Sequence, residues 1–127
     1  MPVNRAPEAA SPAYVVGDTV FGEAIATIGD FDEFTSSGTP GEHLDVYFRM
    51  TAPPVGEQFH GLTLEIIDPA TGDTLAGWGI QYFGQQFSQI TTFSVPAGGN
   101  LRIRVRGTGT FGEDITTGPY EFFLRKP

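Results

Sequence analysis

Leu101-Arg102-Ile103-Arg104-Val105-Arg106 is the stretch that decides the fold. Its apolar residues take every second position and its arginines the positions between. That two-residue period belongs to a strand with one face in a core and the other in water. The alternation recurs upstream. Leu44, Val46, Phe48 and Met50 share one face, and His43, Asp45, Tyr47 and Arg49 the other. Leu62, Leu64 and Ile66 alternate with Thr63, Glu65 and Ile67. Further strands are expected at residues 14–16, 19–25, 31–35, 74–76, 87–95 and 120–125.

The punctuation between these runs has a steric logic. In Asp68-Pro69-Ala70-Thr71-Gly72-Asp73, the first aspartate can bond its own backbone, proline presets φ, and glycine admits positive φ. Pro96-Ala97-Gly98-Gly99 stops the next strand in the same way. Residues 77–86, Gly77-Trp78-Gly79-Ile80-Gln81-Tyr82-Phe83-Gly84-Gln85-Gln86, show no clear period and are expected as an irregular loop. No amphipathic helix and no internal repeat is visible. The expected fold is all-β: a two-sheet antiparallel β-sandwich of about eight strands, jelly-roll-like, with no significant helix.

A chain of 127 residues fits one domain. The Pro/Ala-rich residues 1–16 read as an extended tether, suggesting a domain cut from or following something else, and 17–127 as the sandwich. Seventeen glycines and ten prolines agree with many turns, and eleven phenylalanines supply the core. Fifteen acidic against seven basic residues leave a net charge of −8, which disfavours nucleic acid as a partner, since that binding rests on lysine and arginine at phosphates. Without cysteine there is neither a disulfide nor a thiolate metal site. No apolar run reaches the roughly 18–20 residues that span a bilayer, and residues 1–16 lack the apolar core of a signal peptide.

Read as a whole, the chain resembles the bacterial pre-peptidase C-terminal domain family, sandwiches appended to exported proteins. The resemblance lies in the order and spacing of individually weak motifs. These are Phe21-Gly22-Glu23 before Gly29-Asp30-Phe31-Asp32-Glu33-Phe34, Gly41 leading into Leu44–Phe48, and Leu64-Glu65-Ile66-Ile67-Asp68 with Gly72-Asp73-Thr74-Leu75-Ala76. Val95-Pro96-Ala97-Gly98 and Gly118-Pro119-Tyr120-Glu121-Phe122 complete the set. The family often has tyrosine after the Pro-Ala-Gly turn, where this chain has Gly99-Asn100-Leu101, and Tyr or Trp after the acidic turn, where it has Phe34. The resemblance implies an extracytoplasmic, non-catalytic accessory domain and no particular ligand.

Four candidate sites follow from the residues. Asp30, Asp32 and Glu33 crowd one turn, and Asp18, Glu113 and Asp114 are further acids that a calcium ion, which takes six to eight oxygens, would need. The plainer reading, which we prefer, has Asp30 capping the turn while the other two face water. Trp78, Tyr82 and Phe83, with Phe87 behind them, sit among glycines and offer rigid contact area for a sugar or a protein. Arg102, Arg104 and Arg106 form either a docking patch for an acidic surface or a solvated face paired with acids such as Glu65 or Glu121. Catalysis has the weakest basis. His43 and His60 are the only histidines, and no nucleophile elbow, zinc motif or phosphate loop is present.

These readings lead to a non-catalytic interaction module of an exported bacterial protein, placed in the periplasm, on the cell surface or outside the cell. It would dock onto a protein surface or larger assembly, without a cofactor. A calcium-dependent carbohydrate- or matrix-binding module is the first alternative, with polysaccharide as partner. A small subunit of a membrane-associated complex, held through residues 1–16, is the second.

Overall fold

The computed structural model describes residues 2–3, 13–25, 31–52, 61–80, 87–107 and 117–127. Among them the chain forms nine strands: β1 (Pro2–Val3), β2 (Thr19–Ile25), β3 (Phe31–Ser37), β4 (His43–Met50), β5 (Leu62–Ile67), β6 (Thr74–Ile80), β7 (Ser88–Ser94), β8 (Asn100–Gly107) and β9 (Gly118–Arg125). They build two sheets, a five-stranded one in the order β1-β2-β9-β4-β7 and a four-stranded one in the order β3-β8-β5-β6. All pairings are antiparallel except the short β1–β2 contact. The expected all-β sandwich is what the chain forms.

The two-residue period drives this arrangement. Along β8, Leu101, Ile103 and Val105 are buried while Arg102, Arg104 and Arg106 stay partly exposed. On β9 the buried set is Tyr120, Phe122 and Leu124, and on β4 it includes Leu44, Val46, Phe48 and Met50. The inner faces meet in one core, to which each large apolar side chain contributes about 1.5–3 kcal/mol. Phe34 from one sheet meets Phe122 from the other edge-to-face at 5.3 Å, an arrangement that satisfies the ring quadrupoles.

Besides β1, a short strand inside the stretch read as a tether, two elements differ from the sequence expectation. Residues 14–16 form no strand: Ala13 makes one bridge to Thr35, and Gly17 turns the chain at φ 101°. Tyr14 nevertheless enters the core at 2% exposed, so buried packing begins inside the stretch read as a tether. Its hydroxyl donates to the Asp18 carbonyl and accepts the Leu124 N–H at 2.8 Å. The second difference is β6, which does not end at Ala76 but continues through Gly77, Trp78, Gly79 and Ile80. Pairing with β5 supplies the backbone partners that glycine's poor strand propensity would not secure alone. The turn joining them is as expected: Gly72 has φ 79°, and Asp68 Oδ1 accepts the Ala70 N–H at 3.0 Å.

Burial raises the Tyr14 phenol from 10.0 to about 12. The folded state therefore holds the proton more tightly than the unfolded state. That share of stability is complete below about pH 10 and is lost as pH rises through about 12. Tyr14→Phe should cost about 1–3 kcal/mol at neutral pH, because the Leu124 N–H loses its acceptor. It should also flatten the fall in stability between pH 9 and 12, as urea unfolding at stepped pH values would show.

Candidate functional site

The outer face of the four-stranded sheet carries a regular grid of side chains, partly exposed at the arginines and Glu33 and buried at Thr63 and Ile67. Strand register fixes its rows: Phe31, Arg106, Thr63 and Gly79 in one, Glu33, Arg104, Glu65 and Gly77 in the next, then Thr35, Arg102, Ile67 and Thr74. The arginines are held within this grid. Arg104 reaches Glu33 through Nη2 at 2.6 Å and Nε at 2.8 Å. Its guanidinium also lies 4.9 Å from the Phe31 ring centroid. Arg106 Nε lies 3.2 Å from Glu65, and Arg102 stands 3.9 Å from Glu33. Of the two acids expected opposite the arginines, only Glu65 is there. Glu121 lies on the other sheet, paired with Arg49.

At the edge of the grid the surface drops. Gly77 and Gly79 present no side chain beside Glu65, Thr63 and Thr74. The result is an open recess of about 630 Å³ lined by Thr63, Glu65, Thr74, Gly77, Trp78 and Gly79. Neither glycine is required by the backbone, since neither has positive φ. A Cβ on Gly77 would sit 3.6 Å from Glu65 Cγ and from Thr74 Cγ2, and one on Gly79 would sit 3.5 Å from Thr63 Oγ1. These are ordinary contacts, so the fold has room for a Cβ at each position. Trp78 pairs with Leu64, so its side chain leaves from the face opposite the recess floor. Because β6 is the edge strand, the indole is still 61% exposed.

The expected aromatic set is thus represented by Trp78. Tyr82 and Phe83 lie outside the described residues. Phe87 belongs to the other sheet's outer face, where its ring meets Phe123 edge-on at 4.9 Å beneath the Arg49 guanidinium. Phe123 stacks on Tyr47 at 4.6 Å, and Arg125 covers Tyr47. Those aromatics are occupied with one another.

The structure does not bring Asp32 and Glu33 together. As neighbours on β3 they leave opposite faces, Asp32 inward at 1% exposed and Glu33 outward to the arginines. Asp32 Oδ2 accepts the Tyr120 hydroxyl at 2.6 Å. The expectation that both face water is corrected for Asp32 by strand parity. Asp30, Glu113 and Asp114 lie outside the described residues. Among the described residues no three His, Asp or Glu side chains are placed to hold a metal ion. Sequence reading missed the glycine floor. The available signal was its Gly-x-Gly spacing directly after Thr74-Leu75-Ala76, a strand alternation whose outward positions are blank.

No protein-family model matches the sequence, and no curated protein matches it. Among solved structures, the pre-peptidase C-terminal domain of a collagenase from Bacillus anthracis is similar with a TM-score of 0.59, 17% identity, 96% of this chain and 99% of that chain covered. The chain has the fold of a pre-peptidase C-terminal domain. Two looser likenesses are a carbohydrate-binding module of the Cellvibrio mixtus lichenase 5A in complex with cellotriose and a β-1,3-glucan-binding module from Bacillus halodurans. The first has a TM-score of 0.46 and 13% identity, with 78% of this chain and 72% of that chain covered. The second has a TM-score of 0.43 and 18% identity, with 76% and 70% covered.

Tyr120→Phe should destabilise the protein by about 1–3 kcal/mol, by removing one hydrogen-bond donor from a buried carboxylate. The loss should be the same in excess calcium and in chelator, as paired thermal melts would show. A penalty seen only with calcium would reassign Asp32 to a metal.

Proposed function

We propose that this is a non-catalytic binding module of an exported bacterial protein, which holds its host on an extracellular polymer or surface through the β5–β6 recess. The observation that carries the proposal is the glycine pair. Glycine in a strand costs about 0.5–1 kcal/mol relative to a residue with a Cβ, and here neither torsion nor crowding asks for it. Bare strand backbone at a sheet edge that also carries an exposed indole suits close approach by a ligand. Elsewhere among the described residues the outer faces carry ion pairs and stacked rings.

The side-chain chemistry supports a binder rather than an enzyme. His43 Nδ1 meets Ser94 Oγ at 3.0 Å, but both are exposed on the open face of β4 and β7. Asp45, two positions along that face, accepts the Thr92 hydroxyl at 2.6 Å and does not orient the imidazole. A serine is activated by a base that a third group holds in place, and among the described residues none is hydrogen-bonded to His43 in that role. The fold shared with a collagenase's pre-peptidase C-terminal domain fits an appended module and an extracytoplasmic location.

Trp78→Ala tests the reading by co-sedimentation with insoluble cellulose, chitin, peptidoglycan and collagen fibrils. We expect the unaltered chain to sediment with at least one of them and the variant to lose most of that retention with its thermal midpoint unchanged. Equal retention of both proteins, or retention of neither on any polymer, would sink the proposal.

A further inference from the structure

The occupant of the recess can be narrowed by its chemistry. Among the described residues that line the recess the one carboxylate, Glu65, is neutralised by Arg106 at 3.2 Å, so they offer no uncompensated charge to an ionic ligand. The chain's net charge of −8 repels polyanions at longer range. Its lining is not apolar enough for a lipid: Thr63 and Thr74 present hydroxyls, which both donate and accept, and Glu65 accepts. The Trp78 indole leaves from the opposite face but stands 61% exposed at the edge of the sheet, where it borders the recess. Two missing side chains on alternate residues clear a strip about 7 Å long, the rise of two strand residues, in which a flat ring can lie against backbone.

A ligand that is neutral, rich in hydroxyls, flat in its rings and apolar on its C–H faces answers all of these features. We infer that the β5–β6 recess takes a neutral glycan chain, one sugar ring resting over Gly77 and Gly79 with its hydroxyls on Thr63, Thr74 and Glu65, and the chain passing the Trp78 indole. This rests on the binding-module reading above and names the ligand class of the same site. A peptide strand matches less well, because the hydroxyls and carboxylate line the outer face rather than the strand edge where a peptide would pair.

Trp78 is the chain's only tryptophan, so intrinsic emission reports on this site alone. The probes are neutral hexasaccharides of β-1,4-glucose, β-1,3-glucose, β-1,4-xylose and β-1,4-mannose, with polygalacturonate as the charged comparison. At least one neutral probe should shift the emission saturably, with affinity unchanged from about 0.05 to 0.5 M salt. Gly77→Val with Gly79→Val should weaken that binding tenfold or more while the thermal midpoint stays equal or rises, since valine favours strands. If the valines disturb the fold, the corresponding alanines meet only ordinary contacts and should still weaken binding. Emission unmoved by every neutral probe, or filled variants that bind as the unaltered chain does, would overturn the inference. The two readings fail separately. Tryptophan-dependent retention on collagen fibrils without any sugar response leaves the docking surface standing with a protein as its partner. Absence of both removes the two together.

Discussion

Strand β9 is the constraint on which the rest depends. Its inward residues each tie a different part of the molecule. Phe122 packs against Phe34 across the sandwich and against Tyr14 from the N-terminal segment, both at 5.3 Å between centroids. Tyr120 donates to Asp32 on the opposite sheet. Leu124 gives its backbone N–H to the Tyr14 hydroxyl. The outer residues tie the sheet laterally, with Phe123 stacked on Tyr47 and Glu121 paired with Arg49. Without disulfides the two sheets are held together by packing and by the buried Tyr120–Asp32 hydrogen bond, and β9 concentrates those contacts in one strand flanked by β2 and β4.

Much of this was legible because burial on one face writes a period into the sequence. β8 alternates cleanly in burial, β4 and β5 alternate along most of their sequence, and the Asp68–Asp73 turn carries residues with their own steric demands, so these elements and the fold class could be read directly. What could not be read depended on distant partners. Nothing local says that Glu33 is the counter-charge of Arg104, a residue 71 positions away. Nor does anything local say that Tyr14 belongs to the core, because the residues after it turn rather than alternate. The acidic turn shows the limit most clearly. Asp32 and Glu33 look equivalent as neighbouring acids, and only the strand's register sends one into the core and the other to the arginines.

The candidate site was half legible for a related reason. Trp78 stood out as an aromatic among glycines, but the glycines themselves suggested a loop. They lie in a strand because β5 holds them there through a ladder running from Leu62 to Ile67. Ala76 and Leu75, partly buried against the core, anchor the same strand one turn of register earlier. Stability for β6 thus comes from its first half and from its neighbour, which leaves the second half able to omit side chains. The outer faces of the two sheets then divide the work. One is closed by rings and ion pairs that satisfy each other, and the other ends in exposed backbone at the edge beside an indole that packs only in part. A surface held open at a cost in strand propensity, next to an apolar group left in water, is a pairing that burial alone would remove. Contact with another molecule gives both features a physical reason to persist together.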